Sequence, residues 1–233
     1  MARSVNVAVI LAGCGHGDGA EAREAVFALL ALDQHGASVQ CVAADAAQAE
    51  VVDHATGRVV ASAVRNQLEE ASRIARVGQC LDLAKADPAA FDALILPGGA
   101  GVAKNLCSFA LDGARAQVRP DVAAFIGAFF QAGKPVGAIC IAPALVALVL
   151  KGLGRAGTLT LGDGAGGAAA MAQLGIRHQA VASSRETVID EDLKLVTTPA
   201  YMFGEARLCD VWTGIERCVA AVLQRAGRDG SAG

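Results

Sequence analysis

Three short apolar runs, Val5 to Ala12, Ala93 to Leu96 and Pro135 to Ile139, break off at Gly13, at Pro97-Gly98-Gly99 and at Cys140. Runs this short, bounded by turn residues, read as strands buried on both faces. Segments of helical period lie between them. Glu21 to Gln34 repeats Ala25, Val26, Leu29, Leu30 and Leu32 at helical spacing, and Gly36 closes it as a helix end should. Ser38 to Ala43 is a second strand, Asp121 to Ala132 an amphipathic helix ended by Gly133, and Ala142 to Leu153 a further helix. Strands alternating with helices predict an α/β fold, a mainly parallel sheet with helices on both faces. Ligands of such sheets sit at the carboxyl ends of strands, so the strand ends at Gly13, Gly98 and Cys140 are expected to converge on one site.

The stretch from Asp45 to Asp92 is more polar and reads as an insertion, with a turn at Asp53-His54-Ala55-Thr56-Gly57 and a helix-like segment around Val64 to Ala75. The last third gives short strands near Thr158, Val181 and Leu193, then a helix from about Glu205 to Arg225 that frays at Ala226 and Gly227. A chain of 233 residues fits one domain, residues 1–227 with the insertion at about 45–92, followed by a disordered tail over 228–233.

Composition removes several function classes. With 54% hydrophobic and only 18% charged residues the chain is neither a solvating linker nor a coiled coil. Its formal charge of -3 provides no field for nucleic acid or an anionic membrane surface. Only 4% of its residues are aromatic, too few for base-stacking platforms. The longest apolar stretches, such as Ala142 to Leu150, fall well short of the roughly 20 residues that span a bilayer. Val5 to Leu11 reads as a first strand rather than a secretory signal. The seven cysteines include no C-x-x-C pair and no zinc-finger spacing, so neither a disulfide framework nor a structural zinc is expected, and a reducing, cytoplasmic location is.

Two glycine motifs fail as nucleotide loops. Gly13-Cys14-Gly15-His16-Gly17-Asp18-Gly19 lacks the third glycine at dinucleotide spacing, and Gly133-Lys134 is followed by Pro135 where a Walker loop needs Ser or Thr. Cys140 is the informative residue. It ends an apolar strand between Gly137 and Pro143 and precedes a helix, a nucleophile-elbow pattern that exposes the thiol at a helix N-terminus, where the dipole favours the thiolate. Glu21 and Glu24 begin the helix after the first strand three residues apart, so either could reach Cys140 as its proton acceptor or simply complement the helix dipole. His16, His35, His54 and His178 all read as surface or loop histidines.

These residues carry a resemblance. Phe91 to Gly99, the elbow Gly137 to Pro143 and Leu195 to Pro199 resemble the DJ-1/PfpI superfamily with its flavodoxin-like, doubly wound fold. Gly13-Cys14-Gly15 with Asp18-Gly19, His54 to Gly57, Ala103 to Leu106, Gln131 to Pro135 and Thr197 to Met202 are similar to one branch, the ElbB or enhancing-lycopene-biosynthesis (ES1) glyoxalase group. The resemblance implies a homodimeric enzyme without cofactor or metal that converts glyoxal or methylglyoxal, small 2-oxoaldehydes, into glycolate or lactate without glutathione. It implies Cys140 as nucleophile, Glu24 as base with Glu21 as runner-up, and Gly98, Gly99 and Ile141 as oxyanion contacts; Cys14 on a neighbouring strand-end loop and His54 on the insertion are accessory candidates by position. Ile141 stands where protease-like members carry His, and Pro199-Ala200-Tyr201 where amidotransferases carry His-x-Glu, so peptidase and ammonia-transfer chemistry are not expected. The competing reading is a redox-sensing or protein-quality protein, deglycase or chaperone-like, in which Cys140 is an oxidisable thiol and Cys14 its resolving partner. A scaffold in isoprenoid biosynthesis rests on the branch name alone.

Overall fold

The computed structural model describes residues 4–164 and 167–228. Eleven strands are assigned among them: β1 (Asn6–Ile10), β2 (Ser38–Ala43), β3 (Val52–Asp53), β4 (Arg58–Val59), β5 (Cys80–Asp82), β6 (Ala93–Leu96), β7 (Val136–Ile139), β8 (Thr158–Leu159), β9 (Arg177–His178), β10 (Val188–Asp190) and β11 (Leu195–Thr198). The α-helices are α1 (Ala22–Gln34), α2 (Gln67–Ala75), α3 (Phe109–Asp112), α4 (Pro120–Gln131), α5 (Ala142–Gly152), α6 (Ala168–Gln173) and α7 (Leu208–Arg228).

Seven strands form one sheet in the order β10-β11-β7-β6-β1-β2-β5. All neighbours are parallel except the edge strand β10, which runs antiparallel to β11. This is the expected flavodoxin-like α/β fold, with the order reversing between β1 and β6. Strand periodicity then divides the core in two. Ala8, Ile10, Leu94, Leu96 and Ala138 face α4 and α5, while Val7, Val9, Ala93, Ile95 and Ile139 face α1 and α7. Helix α5 is buried from Ala142 to Leu150, which explains why its sequence is apolar all round rather than striped.

Three expectations need correction. The stretch 45–92 is not wholly an insertion: β5 joins the main sheet beside β2, and α2 packs over both strands. Its three residues, with Leu81 at the edge and half exposed, are too short to show a period. What projects is the β3–β4 hairpin, whose turn is the Asp53–Gly57 motif, closed by Gly57 N–H donating to Asp53 O at 2.7 Å. The strand expected near Val181 is instead β9, since Val181 lies in a loop. The last helix does not fray at Ala226 but runs to Arg228, one residue into the expected tail; the rest of that tail, 229–233, lies outside the described residues.

Candidate active site

The site assembles where the strand order reverses, outside the carboxyl ends of β1, β6 and β7. Helix α1 follows β1 and carries Glu24 in its first turn. The turn after β6 is Gly98-Gly99, and β7 ends directly in Cys140. Cys140 has φ +61°, a left-handed conformation costly for any residue with a Cβ. Its N–H donates to Thr198 O at 2.9 Å, so β11 holds the elbow in place. The expected turn is therefore present, and it is strained in the manner that projects a side chain over a sheet.

Glu24 is fully buried and hydrogen-bonded to Cys140. Its carboxylate accepts from Gly98 N–H at 3.0 Å and from Tyr201 N–H at 3.3 Å. Burial first, and then the nearby Glu21, pushes the Glu24 carboxyl up to about 8. Burial, reinforced by the Glu24 charge, pushes the Cys140 thiol well above its ordinary range, while the backbone N–H groups of Gly99 and Ile141 pull in the opposite direction by favouring the thiolate. The helix N-terminus alone does not decide the state of this thiol, contrary to the sequence expectation, because the thiol is buried and a carboxyl group sits against the sulfur. Thiol and carboxyl titrate as one coupled pair.

Glu21 is placed differently. It is the N-cap of α1, and its Oε2 accepts from Glu24 N–H at 2.7 Å, leaving the side chain part-buried at the rim. Gly98 also differs from its expected role, since its N–H is committed to Glu24 and only Gly99 and Ile141 turn theirs toward the sulfur. Gly98 is instead required by space: a Cβ there would lie 2.5 Å from Cys140 Cβ and 2.6 Å from Glu24 Oε2. Gly98→Ala is expected to destabilise the fold by about 1–3 kcal/mol through overpacking, measured by urea denaturation, and to misalign the pair so that turnover falls at least as far as in any single-contact variant.

The Gly13–Gly19 loop does not bring its cysteine to the site. Cys14 lies among the charges of Glu70, Arg73, Asp18 and Arg65 on the α2 side and is not among the residues lining the Cys140 cavity, so it is not placed as a resolving thiol. His54 is likewise a brace: its Nε2 accepts from Gly17 N–H at 3.2 Å and stands 3.7 Å from Asp18 Oδ1. The histidine that does line the cavity is His16, packed edge-on against His54 with centroids 5.0 Å apart. Sequence reading passes over it because it stands in a loop rather than at a strand end. Tyr201 is the other omission, supplying both a cavity wall and an N–H to Glu24. Asn105 fixes the loop from below, donating to Ala12 O and Asp18 O at 2.9 and 2.8 Å and accepting from Ala49 N–H at 2.8 Å. That asparagine falls within the Ala103 to Leu106 motif of the resemblance, but only its burial and these bonds give it a role.

The cavity over Cys140 has a volume of about 630 Å³. A shallower apolar groove of about 780 Å³, between Phe27 and Leu30 of α1 and Trp212 of α7, is separate from it and contains neither Cys140 nor Glu24. No group of three or more metal-binding side chains is clustered among the described residues. Nor, among them, is any helix long and apolar enough to cross a membrane.

Comparison with known proteins agrees with this architecture. Glutamine amidotransferase-like class 1 domain-containing protein 3, mitochondrial, from Homo sapiens is 42% identical over 234 residues, covering 97% of this chain and 85% of its own length. The ES1 protein homolog, mitochondrial, from Rattus norvegicus is 41% identical over 231 residues, covering 95% and 84%. A crystal structure of an isoprenoid biosynthesis protein with amidotransferase-like domain from Ehrlichia chaffeensis superposes with a TM-score of 0.87 at 36% identity, over 95% of this chain and 99% of that one. The family pattern of DJ-1/PfpI matches residues 7–201. By that match and these relatives, the chain belongs to the DJ-1/PfpI family.

Proposed function

We propose that this protein is a glutathione-independent glyoxalase that converts glyoxal to glycolate and methylglyoxal to lactate. The observation that carries the reading is the buried Glu24 carboxyl hydrogen-bonded to Cys140 at a left-handed elbow, with two N–H groups turned to the sulfur. In this reading Glu24 takes the thiol proton as the sulfur adds to the aldehyde carbon, forming a hemithioacetal. The N–H groups of Gly99 and Ile141 stabilise the oxygen as it gains charge. The pair then moves the C1 proton to C2 through an enediol, leaving an acyl thioester whose hydrolysis returns the thiol and releases the 2-hydroxy acid. One water is consumed, and the aldehyde carbon is oxidised at the expense of the neighbouring carbonyl, which is reduced to the alcohol, so the balance needs no outside oxidant.

The test is lactate formation from methylglyoxal without glutathione, in the presence of a chelator. Wild type is expected to turn over, with kcat/KM rising as pH passes through about 8, because the base must first lose its proton. No lactate at any pH would sink the reading. The competing reading, a redox-sensing or protein-quality thiol, gains less support: Cys140 is 8% exposed and its thiol is pushed up, whereas oxidation-prone cysteines are exposed and low in pKa. Ammonia transfer, suggested by the relatives' names, finds Pro199-Ala200-Tyr201 against Glu24 where a His-x-Glu pair would stand. The reading includes a homodimer, and the exposed apolar groove between α1 and α7 is a surface suited to such a contact. Sedimentation velocity is expected to give twice the chain mass.

A further inference from the structure

Methylglyoxal has five heavy atoms, and the cavity over Cys140 is far larger than it needs. At roughly 30 Å³ of liquid per water molecule, 630 Å³ is the share of about twenty waters, within the range of sites that enclose drug-sized ligands. Its lining beyond Glu21, His16 and Tyr201 is largely apolar, with Ala103, Phe109, Ala170 and Met202 among its walls. Small side chains at Ala103 and Ala170 leave the space open, and Phe109 and Met202 supply large apolar surfaces.

The charges point the same way. The carboxylate on the lining belongs to Glu21, and no lysine or arginine lines the cavity among the described residues. Two cations beside lining residues are otherwise engaged. Arg23 donates to Tyr201 Oη at 3.2 Å, and the Lys104 ammonium is held by Gly17 O at 3.1 Å and by Glu50. A phosphate or carboxylate on the substrate would enter without a counter-charge and beside Glu21, an unfavourable arrangement in a low-dielectric site.

We infer that the preferred substrate is an uncharged 2-oxoaldehyde whose ketone carries a bulky apolar substituent, branched alkyl or aryl, rather than methylglyoxal itself. This rests on the glyoxalase reading for its chemistry, but not for the fit of the tail. The 2-oxoaldehyde head reaches Cys140 and Glu24, and the tail lies along Phe109, Ala170 and Met202. Each buried methylene contributes about 0.8 kcal/mol, so even two or three retained in the transition state raise kcat/KM about tenfold or more.

The experiment compares methyl-, n-propyl- and isobutylglyoxal, which share carbonyl reactivity, with a 2-oxoaldehyde of matched length ending in a carboxylate. The same protein is assayed for protection of Cys140 from iodoacetamide by 4-methyl-2-pentanone against acetone. The expected kcat/KM for isobutylglyoxal is at least tenfold above methylglyoxal, with the carboxylate compound below both. Ala170→Phe, which fills the tail space, is expected to reduce that ratio at least fivefold. Phe109→Ala, which removes a wall without adding bulk, is expected to reduce it as well and stands in should Ala170→Phe fail to fold. Equal rates for methyl- and isobutylglyoxal, or a faster carboxylate compound, would overturn the inference and leave the glyoxalase reading standing. Selective protection by 4-methyl-2-pentanone with no turnover of any substrate would overturn the glyoxalase reading and support only the apolar tail site beside Cys140. Absence of both would remove the two together.

Discussion

Glu24→Gln is expected to be both nearly inactive and, above neutral pH, more stable than wild type. The loss of activity follows from its place as the proton acceptor against Cys140, and a positioned base contributes about 10²–10⁴-fold. The gain in stability follows from the same burial. The native carboxyl holds its proton up to about 8, whereas its ordinary value, reached in the unfolded chain, is 4.5. Between these values the native state carries a proton that the unfolded state has released, so stability is present below about pH 4.5 and is lost as pH rises through about 8. At ~1.4 kcal/mol per tenfold change in proton affinity, the full loss is on the order of 5 kcal/mol. Glutamine does not titrate. The Tm advantage of Glu24→Gln over wild type should therefore widen from pH 5 to pH 8.5, by about 10 °C for a chain of this size. A constant difference across that range would show that Glu24 is not a buried acid with a raised pKa. Glu21→Gln is the control, because Glu21 caps α1 instead of touching the thiol. It is expected to cost at most about 1 kcal/mol of stability and leave turnover within a few-fold of wild type.

Cys140→Ala is expected to abolish lactate formation, since no other thiol lines the cavity among the described residues. Loss should be complete to the assay's background, larger than for any carboxylate variant, and turnover equal to wild type would refute the covalent route. A companion variant separates chemistry from backbone. At φ +61° an L residue is strained, by about 1–2 kcal/mol in the left-handed region, and glycine is not. Cys140→Gly should therefore unfold at higher urea than Cys140→Ala, although it lacks a side chain altogether. The reverse order would mean that the elbow relaxes once the thiol is gone.

Much of this is legible in the residues because the strands that lead to the site are short, apolar and cut off by Gly13, Pro97-Gly98-Gly99 and Cys140. β1, β2, β6 and β7 lie within a residue or two of their expected bounds, and the thiol at the end of β7 declares itself by position. β5 escaped detection since an edge strand of three residues has no buried face on one side and no room for a period. Glu24 and Glu21 could not be separated by spacing, which puts them on neighbouring positions of one helix turn. What separates them is which carboxyl the sheet covers, and that depends on Gly98 and Tyr201, distant in sequence. His16 was missed for a related reason. A loop residue is assigned to a cavity only by contacts such as Ala100 N–H donating to His16 O at 2.8 Å, which ties the first glycine loop to the turn after β6.

Glu24 meets Gly98 across 74 positions of chain and Tyr201 across 177, so the reactive pair exists only when the first helix, the middle of the sheet and the last strand are all in place. The reactivity of Cys140 is thus a report on parts of the chain far from it. A substitution in any of those three segments that displaces the Glu24 carboxyl is expected to change the rate at which iodoacetamide, entering through the cavity, alkylates this one sulfur.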